Sequence, residues 1–262
     1  MLIKKRIFSG VVCEQEVYIV PTVRRSGDRI LTPRIRFKSE EERARHRIEI
    51  SRRLHVRLFN ENFSPASLYS TLTLDDEHEV YTKAEMDRIA ENYARRLKRA
   101  CPNAYFHMYV GEGKTTQRWH LHMVSNGLTE EVIVNKWNNG VIRRIEKLRA
   151  HNRYNGVDHG ADYTGLANYL FNHWKPQYGG KRWKATRNAR RPIEEDPVEC
   201  KRWYSIEHPP VAPKGYELVE SAKTEYGFYR FKYIRKQGKS ETLLPKPCRC
   251  VKNCDHSRCL KL

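Results

Sequence analysis

The sequence predicts an α+β protein with an antiparallel central sheet, helices on one face and a polar active site on the other. Residues 105–126 indicate two strands joined by a polar turn, and strands joined in this way pair antiparallel. Residues 39–59 and 82–99 combine helix-capping residues with apolar side chains at helical spacing, which predicts the two main helices. A chain of 262 residues has room for one large domain, or one domain and an appendage.

The first elements follow from alternation and capping. Residues 3–20 predict a pair of strands, and 21–33 a loop that contains arginine. Ser39 and Glu42 have capping-box spacing at the start of the first helix, whose predicted apolar stripe is Ile50, Leu54 and Leu58. This helix is strongly basic, and its cations either form a solvated face or contact phosphates. They are Arg43, Arg45, Arg47, Arg52, Arg53 and Arg57.

The later elements complete the predicted sheet and its helices. Residues 68–74 (LYSTLTL) are typical of a buried strand, and Thr82 with Glu85 forms a second capping box. Shorter segments predict a helix at 129–137, a strand at 141–146, a helix at 165–174 and a hairpin of 216–219 with 227–234. We expect two domains, 1–192 with the main sheet and 193–262 with the late hairpin and a cysteine-rich tail.

The charge of the chain indicates a polyanionic partner. Fifty Lys and Arg stand against 31 Asp and Glu, which makes a net charge of +19. Nucleic acid is the expected partner. No membrane is expected, because there is no long apolar run and no lysine-rich amphipathic helix with a bulky apolar face. The beginning of the chain lacks the apolar segment of a secretory signal, and an odd number of cysteines, seven, suits a reducing cytoplasm.

A basic stretch at 181–191 (KRWKATRNARR) is the candidate DNA-binding segment. It combines cations for phosphate contacts with one tryptophan for base stacking. Its candidate contacts are Lys181, Arg182, Lys184, Arg187, Arg190 and Arg191.

The central chemical feature is the pair His120 and His122. Residues two apart on a strand point to the same face, so both imidazoles project from one side of the sheet. The intervening Leu121 points to the opposite side, where a core is expected. Two imidazoles on a rigid strand provide half of a metal site, although such spacing also arises by chance in a chain with 11 histidines.

Glu112 is the candidate third ligand, eight residues before the first histidine of the pair. Strict alternation places it on the apolar face with Met108 and Val110, so a bulge or strand end at Gly111 is needed to redirect it. Asp76 is the reserve ligand. Such a site accepts Mn²⁺, Mg²⁺ or Zn²⁺, and a phosphate substrate favours Mn²⁺ or Mg²⁺.

Tyr169 is the candidate nucleophile, although a tyrosine in a helix is usually a core residue. Asn172 and His173 follow it by three and four residues, on the same side of the helix. A phenol has a pKa of about 10 and needs a metal, cation or base to attack at neutral pH. His173 and Lys175 are the candidate catalytic helpers.

The C-terminal tail carries four cysteines, Cys248, Cys250, Cys254 and Cys259. Their spacing is compatible with one Zn²⁺, but it is not that of a standard zinc finger. A zinc site and a disordered tail both remain open.

Three stretches together resemble the HUH endonucleases that initiate rolling-circle replication, in the single-tyrosine branch found in small plasmids and phages. They are LYSTLTLD at 68–75, RWHLHM at 118–123 and GLANYLFNH at 165–173. The stretches KRIFSGVV and KRWKATRNARRP also resemble that branch, so the resemblance covers residues 1–192.

The resemblance implies nicking of single-stranded or hairpin DNA at a replication origin, through a metal and a 5′-phosphotyrosine intermediate. It implies His120 and His122 as ligands, Glu112 as the third and Tyr169 as the nucleophile. Members of the family often carry a lysine where this chain has Asn172, so His173 or Lys175 would substitute for it. A helicase and a polymerase of the host, in the cytoplasm of a bacterium, are the implied partners.

Other functions remain open on the sequence. A transposase or a relaxase of the HUH type would use the same chemistry on another substrate. A non-catalytic nucleic-acid-binding regulator would use the basic helix and the tail. A metal phosphodiesterase that uses water would form no covalent adduct.

Overall fold

The computed structural model describes residues 2–20, 25–26, 29–30, 35–113, 118–154, 156–173 and 182–236. The helices are α1 (Glu40–Asn62), α2 (Lys83–Ala100), α3 (Glu130–Lys136) and α4 (Thr164–Asn172). The strands are β1 (Leu2–Ser9), β2 (Val12–Ile19), β3 (Arg25–Ser26), β4 (Arg29–Ile30), β5 (Leu68–Leu74), β6 (Tyr105–Glu112), β7 (Trp119–Asn126), β8 (Gly140–Lys147), β9 (Arg153–Tyr154), β10 (Val157–Asp158), β11 (Lys184–Ala185), β12 (Ile193–Glu194), β13 (Val198–Cys200), β14 (Tyr216–Lys223) and β15 (Tyr229–Arg235). The predicted α+β class is confirmed.

The central sheet has five antiparallel strands in the order β11-β6-β7-β5-β8. The register of β6 with β7 is unbroken from the pair Tyr105 and Asn126 to the pair Glu112 and Trp119. Strand β7, which carries the two histidines, therefore lies in the middle of the sheet. β8 and β11 form its two edges.

Helices pack on both faces of the central sheet, which differs from the expected arrangement. α2 and α3 cover the face of Leu121, where they form the larger apolar core. α1 and α4 cover part of the histidine face. α1 does so because its buried side is built on Val56 and Phe59, while Ile50 and Leu54 of the predicted stripe are exposed.

A second sheet joins the two ends of the described chain. Its order is β12-β1-β2-β15-β14, and β13 also pairs with β1. The domain boundary expected after residue 192 runs through this sheet, because β12 to β15 pair with one another or with β1 and β2. A hairpin near the end of a sequence often pairs only with itself, so this long-range pairing was not expected from local pattern.

Several arginines of α1 bind acids of the second sheet. Arg53 lies 2.5 Å from a carboxylate oxygen of Glu16, and Arg57 lies 2.5 Å from one of Glu14. Burial raises the pKa of Glu16, but Arg57 and Arg53 outweigh this effect and lower it below its usual value. These two arginines fasten α1 to β2, so they are not part of a solvated face.

Among the helices that the structure describes, none is long and apolar enough to cross a membrane.

Candidate metal centre

Three histidines meet at one end of the histidine face. His120 and His122 extend from β7, and His173 is the residue that caps the C-terminal end of α4. The Nε2 atoms of His120 and His173 lie 2.8 Å apart. One ring nitrogen from each of the three histidines lies within 4.8 Å of the other two. The arrangement is thus a compact cluster of imidazole nitrogens, which suits a metal ion.

Neighbouring oxygens orient the paired histidines. Nδ1 of His122 lies 2.7 Å from the Tyr69 hydroxyl and 3.1 Å from the Thr71 hydroxyl. Nδ1 of His120 lies 3.4 Å from the carbonyl oxygen of Arg118, which accepts a proton and cannot donate one. A proton on each Nδ1 leaves the Nε2 lone pairs free. This is how histidines are held when they bind a metal.

Burial keeps the paired histidines neutral. It lowers the pKa of His120 below its usual value. It also lowers the pKa of His122, together with the nearby His173 and His120, to about 3. A neutral imidazole is the form that binds a metal ion, so the site is ready for one at neutral pH.

Gly111 makes room for the third histidine. It is the register partner of His120 on β6, and His173 packs directly over it. A Cβ atom at position 111 would lie 2.0 Å from Nε2 of His173, which is far inside contact distance. The glycine therefore permits α4 to approach the sheet closely at this point.

The structure does not bring Glu112 into the cluster. Its register partner is Trp119, so it shares the face of Trp119 and lies opposite to His120. The bulge that would have redirected it is absent from β6, whose pairing with β7 is regular along its whole length. Asp76, the reserve ligand, is exposed and pairs with Arg118 at 2.5 Å.

His173 stands where a third ligand was sought, although the sequence indicated it as a helper of the tyrosine. Its spacing of four from Tyr169 was the available signal, because it places both side chains on one side of the helix. Nothing local predicts that α4 crosses the sheet beside β7. That relationship is tertiary.

Tyr169 lies beside the three histidines and is accessible. Its side chain is exposed, and its ring centroid is 5.9 Å from that of His173. The preceding residue, Asn168, accepts a hydrogen bond of 2.7 Å from the Arg52 guanidinium of α1. At the start of α4, the Asn60 side chain accepts one of 2.8 Å from the backbone N–H of Tyr163. α1 thus holds the helix that carries the tyrosine.

The predicted DNA-binding cations lie in different surroundings. Lys184 is bound by Glu91 at 2.7 Å, and Arg190 donates to the carbonyl oxygen of Glu61 at 2.7 Å. Arg182 lies over the Phe171 ring at 5.0 Å. Two others, Arg187 and Arg191, are exposed. The remaining candidates lie outside the described residues, namely Lys181, the helper Lys175 and the tail cysteines Cys248, Cys250, Cys254 and Cys259.

Comparison with known proteins gave one match. Searches of curated proteins and of solved structures found none. Residues 67–175, less than half of the chain, match a family model described as a replication-associated protein of the ORF2 type. This segment spans β5 to α4 and contains the three histidines and Tyr169. The part of the chain that builds the candidate site is therefore similar to replication-associated proteins, which supports a role in the initiation of replication.

Proposed function

We propose that this protein is a metal-dependent endonuclease of the HUH type that nicks single-stranded DNA with Tyr169 and so initiates rolling-circle replication. One observation carries the proposal. The end of α4 brings Tyr169 and His173 together to the paired histidines of β7. The similarity of residues 67–175 to replication-associated proteins supports it.

His120, His122 and His173 would hold the metal. Three neutral imidazoles fit a borderline ion such as Mn²⁺ or Zn²⁺ better than Mg²⁺, which prefers oxygen ligands. We therefore propose Mn²⁺ ahead of Mg²⁺. A bound ion would act as a Lewis acid on an oxygen of the scissile phosphate. A Zn²⁺ site in the cysteine-rich tail remains a separate expectation.

The chain itself supplies the nucleophile and its position. The Tyr169 oxygen loses its proton and forms a bond to phosphorus, while the bond from phosphorus to the 3′ oxygen breaks. The departing 3′ oxygen takes up a proton and becomes a free hydroxyl, which primes synthesis. One phosphoester replaces another, so no ATP is consumed. His173 belongs to the histidine cluster in this scheme, which leaves Lys175 as the proposed helper of the phenol.

The proposed substrate is single-stranded or hairpin DNA at a replication origin. A helicase and a polymerase of a bacterial host, in the cytoplasm, would be the partners. A transposase or relaxase of the HUH type would use the same residues, and the preferred DNA distinguishes these from an initiator.

Labelled oligonucleotides test the chemistry. The protein is incubated with Mn²⁺ and single-stranded DNA that carries either a 5′ or a 3′ label, and the products are separated on a denaturing gel. We expect the 3′ label to migrate with the protein and the 5′ label to be released on a shorter strand. Tyr169→Phe should abolish both products. Cleavage without a protein-bound label would indicate a phosphodiesterase that uses water, and binding without cleavage a regulator.

A further inference from the structure

A row of side chains leads from the histidine cluster to an edge of the central sheet. The rings of His122 and Tyr69 stack, with centroids 5.7 Å apart and planes at 18°. The Arg144 guanidinium lies 5.9 Å from the Tyr69 centroid. Thr71 of β5 pairs with His122 on one side and with Arg144 on the other, so all lie on the histidine face. Arg144 is thus a cation at the edge strand β8, beside the site.

The charge of Arg144 is accessible to a ligand. Its side chain is 55% exposed, and its acidic partner is Glu146, two residues away on the same strand and 44% exposed. A surface pair of this kind contributes little stability, so a phosphate can replace the carboxylate at small cost. Arg118 is closer to His120 in sequence, but it binds Asp76 and Glu79.

The surroundings of Arg144 are basic. The stretch 140–154 contains a single acidic residue, Glu146. Its cations are all exposed at β8 and in the segment that follows. They are Arg143, Arg144, Lys147, Arg149 and Arg153. By contrast, Lys184 at the opposite edge of the sheet is bound by acids of α2.

We infer that Arg144 binds a backbone phosphate of the substrate strand, next to the scissile phosphate, so that the strand leaves the site across Tyr69 toward β8. The inference rests on the proposed function, since it takes Tyr169 and the histidines as the place of cleavage. A guanidinium forms paired hydrogen bonds with a phosphate. The Tyr69 ring is too deeply buried to stack on a base, so the contact is expected to be with the backbone and independent of base sequence.

DNA binding without cleavage tests the inference. Anisotropy of a fluorescein-labelled, mixed-sequence single strand is measured with chelator present, in the Tyr169→Phe background. Arg144→Ala is compared with Lys147→Ala, because Lys147 is an exposed cation on the same strand whose register partner, Leu68, belongs to the opposite core. We expect about tenfold weaker binding for Arg144→Ala and a salt dependence shallower by about 0.7 in logarithmic slope. Arg144→Lys should restore part of the affinity.

Equal affinities of Arg144→Ala and Lys147→Ala would overturn the inference. The same result is independent of the nuclease proposal, because neither metal nor nucleophile is present in the measurement. If the unmodified protein binds through Arg144 but never cleaves, the surface stands and the nuclease proposal fails. If it cleaves, and Arg144→Ala changes neither KM nor binding, the nuclease proposal stands and this inference fails.

Discussion

The Nε2 atoms of His120 and His173 lie 2.8 Å apart, which joins the central strand β7 to the end of α4. The contact matters because the same turn of α4 carries Tyr169. Whatever fixes His173 on the sheet also fixes the tyrosine relative to the paired histidines. The candidate ligands and the candidate nucleophile therefore form one unit, and changes at either part should be felt at the other.

The identity of the third ligand is the first prediction. His173→Ala should raise the dissociation constant for Mn²⁺ roughly a hundredfold, because it removes one of three nitrogen ligands. Glu112→Ala should leave that constant nearly unchanged, since Glu112 lies on the opposite face. Isothermal titration calorimetry measures both. The reverse ranking would restore the ligand set that the sequence indicated.

Gly111→Ala should disrupt the cluster without a large change in the fold. The new methyl group would displace the His173 ring from β6, so metal affinity and cleavage should both fall at least tenfold. Val110→Ala is the matched control, because Val110 lies on the same strand in the core against α2. It should lower thermal stability yet keep metal affinity. Equal metal affinity in the two variants would show that the close approach at Gly111 is unimportant.

Tyr69 is expected to orient His122. Tyr69→Phe removes the hydroxyl at 2.7 Å from Nδ1 and leaves Thr71 as the remaining neighbour. Loss of such a supporting hydrogen bond typically weakens metal binding by about 10- to 100-fold. The double variant with Thr71→Val should bind more weakly still. Unchanged affinity in the double variant would mean that His122 is held by packing alone.

Two buried histidines away from the cluster should make the fold sensitive to acid. Burial lowers the pKa of His55 to about 3 and holds that of His107 well below its usual value. Unfolded histidine takes up a proton near pH 6.5, whereas these folded side chains do not. The free energy of unfolding should therefore fall as the pH drops below about 6.5, by roughly 1.4 kcal/mol per pH unit for each histidine.

Denaturant titrations between about pH 7 and pH 5 measure this dependence. His55→Gln should reduce the slope by the share of one histidine, whatever it does to absolute stability. His151→Gln is the control, because His151 is exposed. Identical slopes in both variants would contradict the assignment of His55 as a buried neutral group.

Much of the local structure was predictable from the sequence. The cap residues Ser39, Thr82 and Thr129 precede α1, α2 and α3 as expected, since capping depends on residues within one turn. The strand at 68–74 and the pair within 105–126 also follow the predicted pattern. The second sheet did not, because β15 pairs with β2 across most of the chain length.

The candidate site was predictable in part. Alternation placed His120 and His122 on one face, and the structure agrees. Alternation also placed Glu112 on the other face, and the preference for an oxygen ligand required a bulge that β6 does not contain. The position of His173 depends on how α4 crosses the sheet, and on the absence of a side chain at Gly111. Neither relation can be derived from local spacing.

Mass spectrometry of the protein after reaction with single-stranded DNA and Mn²⁺ tests the central claim most directly. Nuclease digestion of the DNA should leave a nucleotide attached through its 5′ phosphate to the peptide that contains Tyr169. The adduct should be absent from Tyr169→Phe and from the double variant His120→Ala/His122→Ala. A chain that cuts DNA but carries no adduct, or carries it on another residue, would contradict the account.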